Sequence, residues 1–321
     1  MLLSVVLSFR NEEEVLDELI KRLENTLNPL DLEYELIFVN DSSTDGSLDI
    51  LLEHRQQNKR IKIINVSRRF GVSPCVMAGF KHATGDAVVY MDADLQDPPE
   101  LIPTLIEKWK EGADVVHTTR TKRKGESPFK IWLTRLAYKV INLISDIEVL
   151  EETGDFKLLS RRAVNELLRF KERDPFMRGL VLWIGLKQVQ VFYEREPRFA
   201  GKTKFSLLRS LSTNPGTPPR EFIRGLTFIS SVPLYFALLL GSMVSLGAFI
   251  FLIYIIIEKV FFGIGSPGWP AMMATILFLG GTILFTIGIL GIYVGKIHRE
   301  IKNRPLYIIE SKIGFDEDAD E

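Results

Sequence analysis

Short apolar runs and helical-period stretches alternate along the first third of the chain. LLSVVLSF, YELIFVN, IKIINVS, DAVVYMD and ADVVHTT are each predicted as strands. Between the first two, Glu12–Leu27 carries Val15, Leu16, Leu19, Ile20, Leu23 and Leu27, a spacing that lines one face of a helix. Ser47–Gln57, Val72–Ala83 and Pro98–Lys110 are predicted helices too, the last with prolines in its first turn, where no backbone N–H is needed. Strands that alternate with helices build a mostly parallel sheet covered on both faces, so the predicted fold class is α/β. Ligands in such sheets bind beyond the carboxyl ends of the strands. Asn40-Asp41 and Asp92–Asp94 end two of the predicted strands and are expected to face one crevice.

The pattern loosens from Arg120 to Phe205. TKRKGESPFK is a basic loop, and Ile131–Ile144 is an amphipathic helix candidate for a membrane surface. GDFKLLSR is expected to be a short strand leading into the helix Arg161–Phe170. DPFMRGLVLWIG is expected to be helical, LKQVQVFYERE a strand and RFAGKTKF a basic loop. SLSTNPGTPPRE has neither period and is expected to be a linker, and no internal repeat is present.

Charge changes the picture in the last third. A quarter of the chain is charged (25%), yet Gly225–Ile257 and Val260–Gly295 contain no Asp, Glu, Lys or Arg. Each exceeds the about 20 apolar residues that cross a bilayer, so two transmembrane helices are predicted, at about 228–257 and 271–295. Arg209, Arg220 and Arg224 precede them, and Lys296, His298, Arg299, Lys302 and Arg304 follow. That bias predicts that both termini are cytoplasmic, and a multi-pass protein of the plasma membrane is expected. LLSVVLSF has no basic stretch before it, so a strand is expected there and not a signal peptide. The single Cys75 fits a reduced compartment and is expected to pack rather than react. A net charge of −1 speaks against nucleic acid as a partner, and the tail FDEDADE is expected to be solvated.

The candidate chemistry centres on YMDADLQDPPE. In extended geometry Asp92, Asp94 and Gln96 share one face, a cluster of hard oxygen donors that suits Mg²⁺ or Mn²⁺ beside substrate phosphates. The same spacing also suits a strand-end turn of solvated carboxylates. An EF-hand is excluded, because Asp97 and Pro103 stand where Gly and Glu are required. No GxxxxGK[ST] and no GxGxxG is present. NDSSTDG is either a turn capped at Thr44 or Asp45 or a site where Asp41 accepts hydrogen bonds from a nucleoside. The four histidines have no zinc-like spacing.

SVVLSFRNEEEVL, FVNDSSTDGS, SRRFGVSPCVMAGFKHATGDAVVYMDADLQDPPE, GDFKLLSRR, FMRGLVLWIG and RFAGKTKF together resemble the family-2 glycosyltransferases of GT-A fold, in their polyisoprenyl-phosphate branch. The resemblance spans about residues 1–205. It implies a cytosolic GT-A catalytic domain over 1–205, a juxtamembrane linker over 206–227, the transmembrane pair over 228–295 and a cytosolic tail over 296–321. It implies a metal at Asp92, Asp94 and Gln96, with Mg²⁺ or Mn²⁺ as cofactor. It places donor contacts at Ser8, Arg10, Glu12, Asp41, Asp92 and Asp94, with Arg198, Lys202 and Lys204 closing over the diphosphate. Ser8 and Arg10 stand where the family often has Pro and Tyr, which leaves the nucleotide base open. Arg120 and Arg135 match arginines that hold the acceptor phosphate, and Lys122, Arg123, Lys124, Lys130 and Trp132 lie around them. Asp94, Asp155, Arg120 and Arg135 form the implied catalytic set. Asp155 would polarise a sugar hydroxyl or orient the acceptor, and is otherwise a turn carboxylate.

The implied reaction is transfer from a nucleotide sugar to a polyisoprenyl phosphate, undecaprenyl or dolichyl, with inversion at the anomeric carbon. The implied partners are donor, lipid and membrane, with a homo-oligomer as a further possibility through Gly280, Gly281, Gly288, Gly291 and Gly295. UDP-glucose is the first expectation, with GDP-mannose, UDP-N-acetylglucosamine and UDP-aminoarabinose as alternatives. A processive polysaccharide synthase would need a QxxRW motif and more spans, and a membrane scaffold with a degenerate site would not need DADLQ and GKTK intact.

Overall fold

The computed structural model describes residues 1–121, 153–194, 232–257, 260–261 and 268–315. The candidate helix Ile131–Ile144, the loop RFAGKTKF and the linker SLSTNPGTPPRE lie outside them. So do Lys122, Arg123, Lys124, Lys130, Trp132, Arg135, Arg198, Lys202 and Lys204.

Eight strands form one sheet: β1 (Leu2–Phe9), β2 (Glu33–Asn40), β3 (Ile61–Val66), β4 (Ala87–Asp92), β5 (Val115–Arg120), β6 (Thr153–Ser160), β7 (Gln188–Tyr193) and β8 (Ile309–Ile313). Their order is β7-β5-β6-β4-β1-β2-β3-β8. β6 runs antiparallel to β4 and β5, and β8 runs antiparallel to β3; the remaining pairs are parallel. The carboxyl ends of six strands therefore share one edge, and the amino end of β6 joins them there.

The predicted helices form, Ser47–Gln57 with its predicted bounds and the others with trimmed ends. They are α1 (Leu16–Leu27), α2 (Ser47–Gln57), α3 (Val72–His82), α4 (Ile102–Lys110, after a 3-10 turn at Pro99–Leu101), α5 (Arg161–Leu168) and α6 (Met177–Trp183). α1 starts four residues later than its pattern predicts. Glu12–Glu14 form a turn in which the Val15 N–H donates to the Glu12 carbonyl at 3.0 Å. Asp17 and Glu18, not the Glu12–Glu14 run, sit in the first turn and complement the dipole. α5 opens on Ser160, whose hydroxyl accepts from the Ala163 N–H, the usual way an orphan amide is satisfied.

The sheet is buried on both faces. Leu3, Val5, Leu7, Leu36, Phe38, Val89, Met91, Phe156 and Leu158 pack with α1 and α4 in one apolar core. The alternate residues of the same strands face the other side, as the two-residue period requires. There α3 lies against β1 and β2 so closely that a Cβ at Gly79 would collide with Val6.

Part of the segment 296–321 is strand. Ile309–Ile313 forms β8 and extends the sheet, pairing Asn65 with Ser311 and Ile63 with Ile313. Ile-Glu-Ser-Lys-Ile has three polar residues in a row and so lacks the alternation that would mark a strand in the sequence.

The second unit consists of α7 (Val232–Ile257) and α8 (Trp269–Ile301), which lie against each other. Both contain windows long and apolar enough to cross a membrane, and none of either window is buried within the protein. Leu238, Phe249, Leu277 and Leu284 are among the large apolar side chains left bare. A helix apolar on all sides and uncovered by protein has lipid as its solvent, so the chain is membrane-associated. No atom lies within 4 Å of a Cβ added at Gly280, Gly281, Gly288, Gly291 or Gly295, so these glycines are not used for packing among the described residues.

Candidate functional site

Three loops at the carboxyl edge are sewn together. Asn11 N–H donates to Ser43 Oγ at 3.1 Å, Thr44 N–H to Asn11 Oδ1 at 2.8 Å and Gly46 N–H to Glu13 Oε2 at 2.8 Å. Glu12 N–H donates to Ser47 Oγ at 3.0 Å, and Ser47 N–H to Asp45 Oδ1 at 3.2 Å, the local bond expected of this turn. Asp41 reaches the third loop. Its carboxylate accepts from Phe70 N–H at 2.7 Å and from Gly71 N–H at 3.1 and 3.2 Å, while its own carbonyl accepts from Arg10 Nη1 at 2.9 Å. Asp41 thus ties Gly71, whose φ of 97° needs a glycine, to the end of β2. Burial and the Asp41 charge push the Cys75 thiol far up, so Cys75 is packed and unreactive.

Asn11, Ser42 and Leu95 all have positive φ (54°, 55° and 53°), and all three lie in loops of this edge. Non-glycine residues keep that conformation only where surrounding contacts over-determine it, and such residues concentrate at functional sites.

The second cluster is built by β4, β6 and α6. Ser8 pairs with Asp92 in register, and Tyr90 pairs with Lys157 across β4–β6. Two residues on, the same register brings Asp92 alongside Asp155. Arg178 of α6 grips Asp155 as a fork, Nε to Oδ1 at 2.9 Å and Nη2 to Oδ2 at 2.5 Å. Burial alone would raise Asp155, but Arg178, supported by Lys157 and Arg120, outweighs it and holds the carboxyl at about 2. Asp92 goes the opposite way. Burial, then the charges of Asp155, Asp94 and Asp97, push it up to about 7 against the pull of Arg178. Tyr90 donates its hydroxyl to Asp92 at 3.3 Å, and burial lowers Lys157 to about 8.

Asp92, Asp94 and Gln96 are presented by a turn and not by the strand face that extended geometry predicts. β4 stops at Asp92, and a turn follows in which Asp94 Oδ1 accepts from Gln96 N–H at 3.2 Å and Leu95 takes its positive φ. The turn does so because Ala93, Leu95 and Asp97 are buried in alternation with the half-exposed Asp92, Asp94 and Gln96. The three predicted ligands remain on one exposed side of it.

Beyond the turn, Asp97 is buried and accepts the hydroxyl of Tyr193. Arg120, at the end of β5, lies 4.0 Å from Asp97 and donates Nε to that same hydroxyl at 3.4 Å. Burial, then Asp97, pushes Tyr193 up to about 12. Arg120 also lies 3.4 Å from the position of a Cβ on Gly154, so it stands next to Asp155.

Of the predicted residues, then, Ser8, Asp92, Asp155 and Arg120 meet at one place with Asp94 and Gln96 in the adjoining turn. Arg10, Glu12 and Asp41 belong to the sewn loops beside it. Arg178, Asp97, Tyr193, Tyr90 and Lys157 are the residues that sequence reasoning missed. Arg178 stands in the quoted motif FMRGLVLWIG, but nothing local says that its helix folds back onto β6.

Among the described residues no group of three His, Cys, Asp or Glu side chains forms a ready cation cage. The donor chemistry nevertheless fits a divalent cation. Burial and then the neighbouring carboxylates disfavour the Asp92 anion, and a hard cation offsets both while using only one or two protein carboxylates.

Residues 4–168 match the family described as Glycosyl transferase family 2. A glycosyltransferase of Synechocystis, sll0501, is 40% identical over 98% of this chain and 96% of its own length. The bactoprenol glucosyl transferase of Shigella phage SfX is 36% identical over 97% of this chain and 100% of its own. The solved structure of mannosyl-3-phosphoglycerate synthase from Rubrobacter xylanophilus is 18% identical, with a TM-score of 0.49 over 71% of this chain and 73% of that one. That last likeness is too loose to bear on function.

Proposed function

The chain belongs to glycosyl transferase family 2, and from that premise we propose that it moves glucose from UDP-glucose to a polyisoprenyl phosphate at the cytoplasmic membrane face. The observation that carries this reading is the meeting of Asp92 and Asp94 with Arg120 and the Arg178–Asp155 fork at one sheet edge, in a chain with two bare membrane-length helices. The near full-length similarity to a protein named bactoprenol glucosyl transferase supports the choice of lipid acceptor and of glucose.

The acceptor phosphate is already an anionic nucleophile, so no strong base is required. What the protein must do is bring two anions together and hold them in line. Arg120 is the described cation for the acceptor phosphate, and Tyr193 and Asp97 fix its guanidinium. A phosphate oxygen forms the new bond to the anomeric carbon. The bond to the donor diphosphate breaks on the opposite face, its electron pair leaves with the diphosphate, and configuration inverts. Asp155 stays ionised under the Arg178 fork, so it accepts a sugar hydroxyl and does not donate a proton. Asp92, Asp94 and Gln96 are the residues that would hold Mg²⁺ or Mn²⁺, whose chemistry when bound is Lewis-acid neutralisation of the diphosphate charge.

Both ends of the chain contribute strands to the same sheet, β1 and β8. An even number of crossings between them is required for that, which supports a two-span protein with β1 and β8 on one side of the membrane.

The test is transfer from a panel of nucleotide sugars to undecaprenyl phosphate by the purified protein, with Mg²⁺, Mn²⁺ or EDTA, beside Asp94→Ala. Lipid-linked product from UDP-glucose, abolished by EDTA and by the substitution, is expected. Product from another donor alone would replace the sugar. No product and no nucleotide binding would leave a membrane scaffold.

A further inference from the structure

Asn40 and Asn65 sit side by side in register at the ends of β2 and β3, and both are buried. Their amide orientations follow from one end. The Ser43 N–H can only donate, so the Asn40 atom that meets it at 2.9 Å is Oδ1. Asn40 therefore presents Nδ2 to Asn65, whose Oδ1 accepts at 3.0 Å. That leaves Asn65 Nδ2 to donate to the Ser311 hydroxyl at 2.9 Å. The relay has one direction, and turning either amide over would break it.

Its outer end is the strand that follows the second long helix. The backbone holds β8 at the same point, through the Asn65–Ser311 pair and through Ser67 N–H donating to the Ile308 carbonyl at 3.0 Å. Its inner end is the loop Asp41–Gly46, where Ser42 is kept at φ 55°. A loop in that conformation relaxes when the contacts that over-determine it are removed.

We propose that Asn40 and Asn65 are positioning residues for donor binding, through which β8 holds the Asp41–Gly46 loop in its binding shape. Neither touches the reacting atoms; both act through the Ser43 amide. The proposal rests on the reading of that loop as part of a nucleotide-sugar site.

The test uses the full-length protein in detergent, with two readouts. One is amide hydrogen exchange across residues 41–46; the other is KM for UDP-glucose set against kcat. Ser311→Ala removes the outer bond at an exposed position where folding is not at risk. Asn65→Leu removes two bonds, Ser311→Thr keeps the hydroxyl, and Glu310→Ala changes only the neighbouring exposed residue of β8. Exchange at Ser43 should quicken in Ser311→Ala and more so in Asn65→Leu. KM should rise about threefold and about tenfold respectively, with kcat held within about twofold, the range that one or two hydrogen bonds carry. Ser311→Thr and Glu310→Ala should match the wild type. Unchanged exchange at Ser43 in Ser311→Ala overturns the relay. Quickened exchange with an unchanged KM overturns the positioning role. A wild type that turns over no nucleotide sugar removes the donor reading itself, a result visible before any variant is made.

Discussion

At the residue scale, the half-buried Asp155 and the buried His117 make opposite use of charge. Arg178 exists to keep Asp155 an anion beside Asp92. Arg178→Met should lower kcat/KM for transfer by about tenfold or more, and Arg178→Lys, which cannot form the fork, should recover only part of it. Asp155→Asn in the Arg178→Met background should cost little further, since the two act as one unit; additive losses would show that they act apart. His117 is kept neutral instead. Burial lowers it to about 4, the Lys157 charge adds to this, and the Gln188 bond at 2.7 Å opposes it. Among the described residues its Nδ1 has no hydrogen-bond partner, so a proton there would be buried unpaired. The unfolded chain binds that proton from about pH 6.5 downward while the native state does not. Stability linked to His117 is therefore complete above pH 6.5 and is lost as the pH falls toward 4, by about 3 kcal/mol. His117→Asn should flatten the dependence of the denaturant midpoint on pH in that window, and an unchanged slope would refute the assignment.

At the element scale, close approach and turns place the site. α3 reaches β1 and β2 only because residue 79 is glycine. Gly79→Ala should destabilise the protein by about 1–3 kcal/mol, the cost of overpacking a dense interface, read from chemical denaturation. The runs that form β1 to β5 are legible because buried parallel strands are continuous apolar stretches of the right length. β6 is legible as a strand from GDFKLLSR, but its neighbours are not. Its insertion between β4 and β5, antiparallel to both, is what carries Asp155 from 63 positions away to the side of Asp92. The DADLQ turn is a similar case. Alternation along the sequence gives the right three residues for one side, while the positive φ at Leu95 shows that a turn, not a pleat, presents them.

At the scale of the whole molecule, the chain leaves the sheet, runs through two apolar helices and returns as β8. Ending the chain after Asn303 would strip the partner from β3 and expose the open edge next to Ile63 and Ile64. That truncation should lower the melting temperature and promote association on size-exclusion chromatography. Ending it after Phe315 should do neither, because only the acidic run 316–321 is lost. Equal behaviour of the two truncations would mean that β8 adds nothing to the sheet.

The sequence by itself determined the α/β class, the two membrane-length helices and the identity of the acidic and basic residues at the strand ends. Each of these is local: hydrophobic period, run length and charge are properties of neighbours along the chain. Only the tertiary structure decided that Asp155 faces Asp92, that Arg178 grips it, that Tyr193 and Asp97 steady Arg120, and that the segment after the second helix is an edge strand tied to Asn65. These depend on strand order and on which helix folds over which face. Many residues far apart in the chain settle those matters together by burying their apolar surfaces at once, and no single stretch records the outcome.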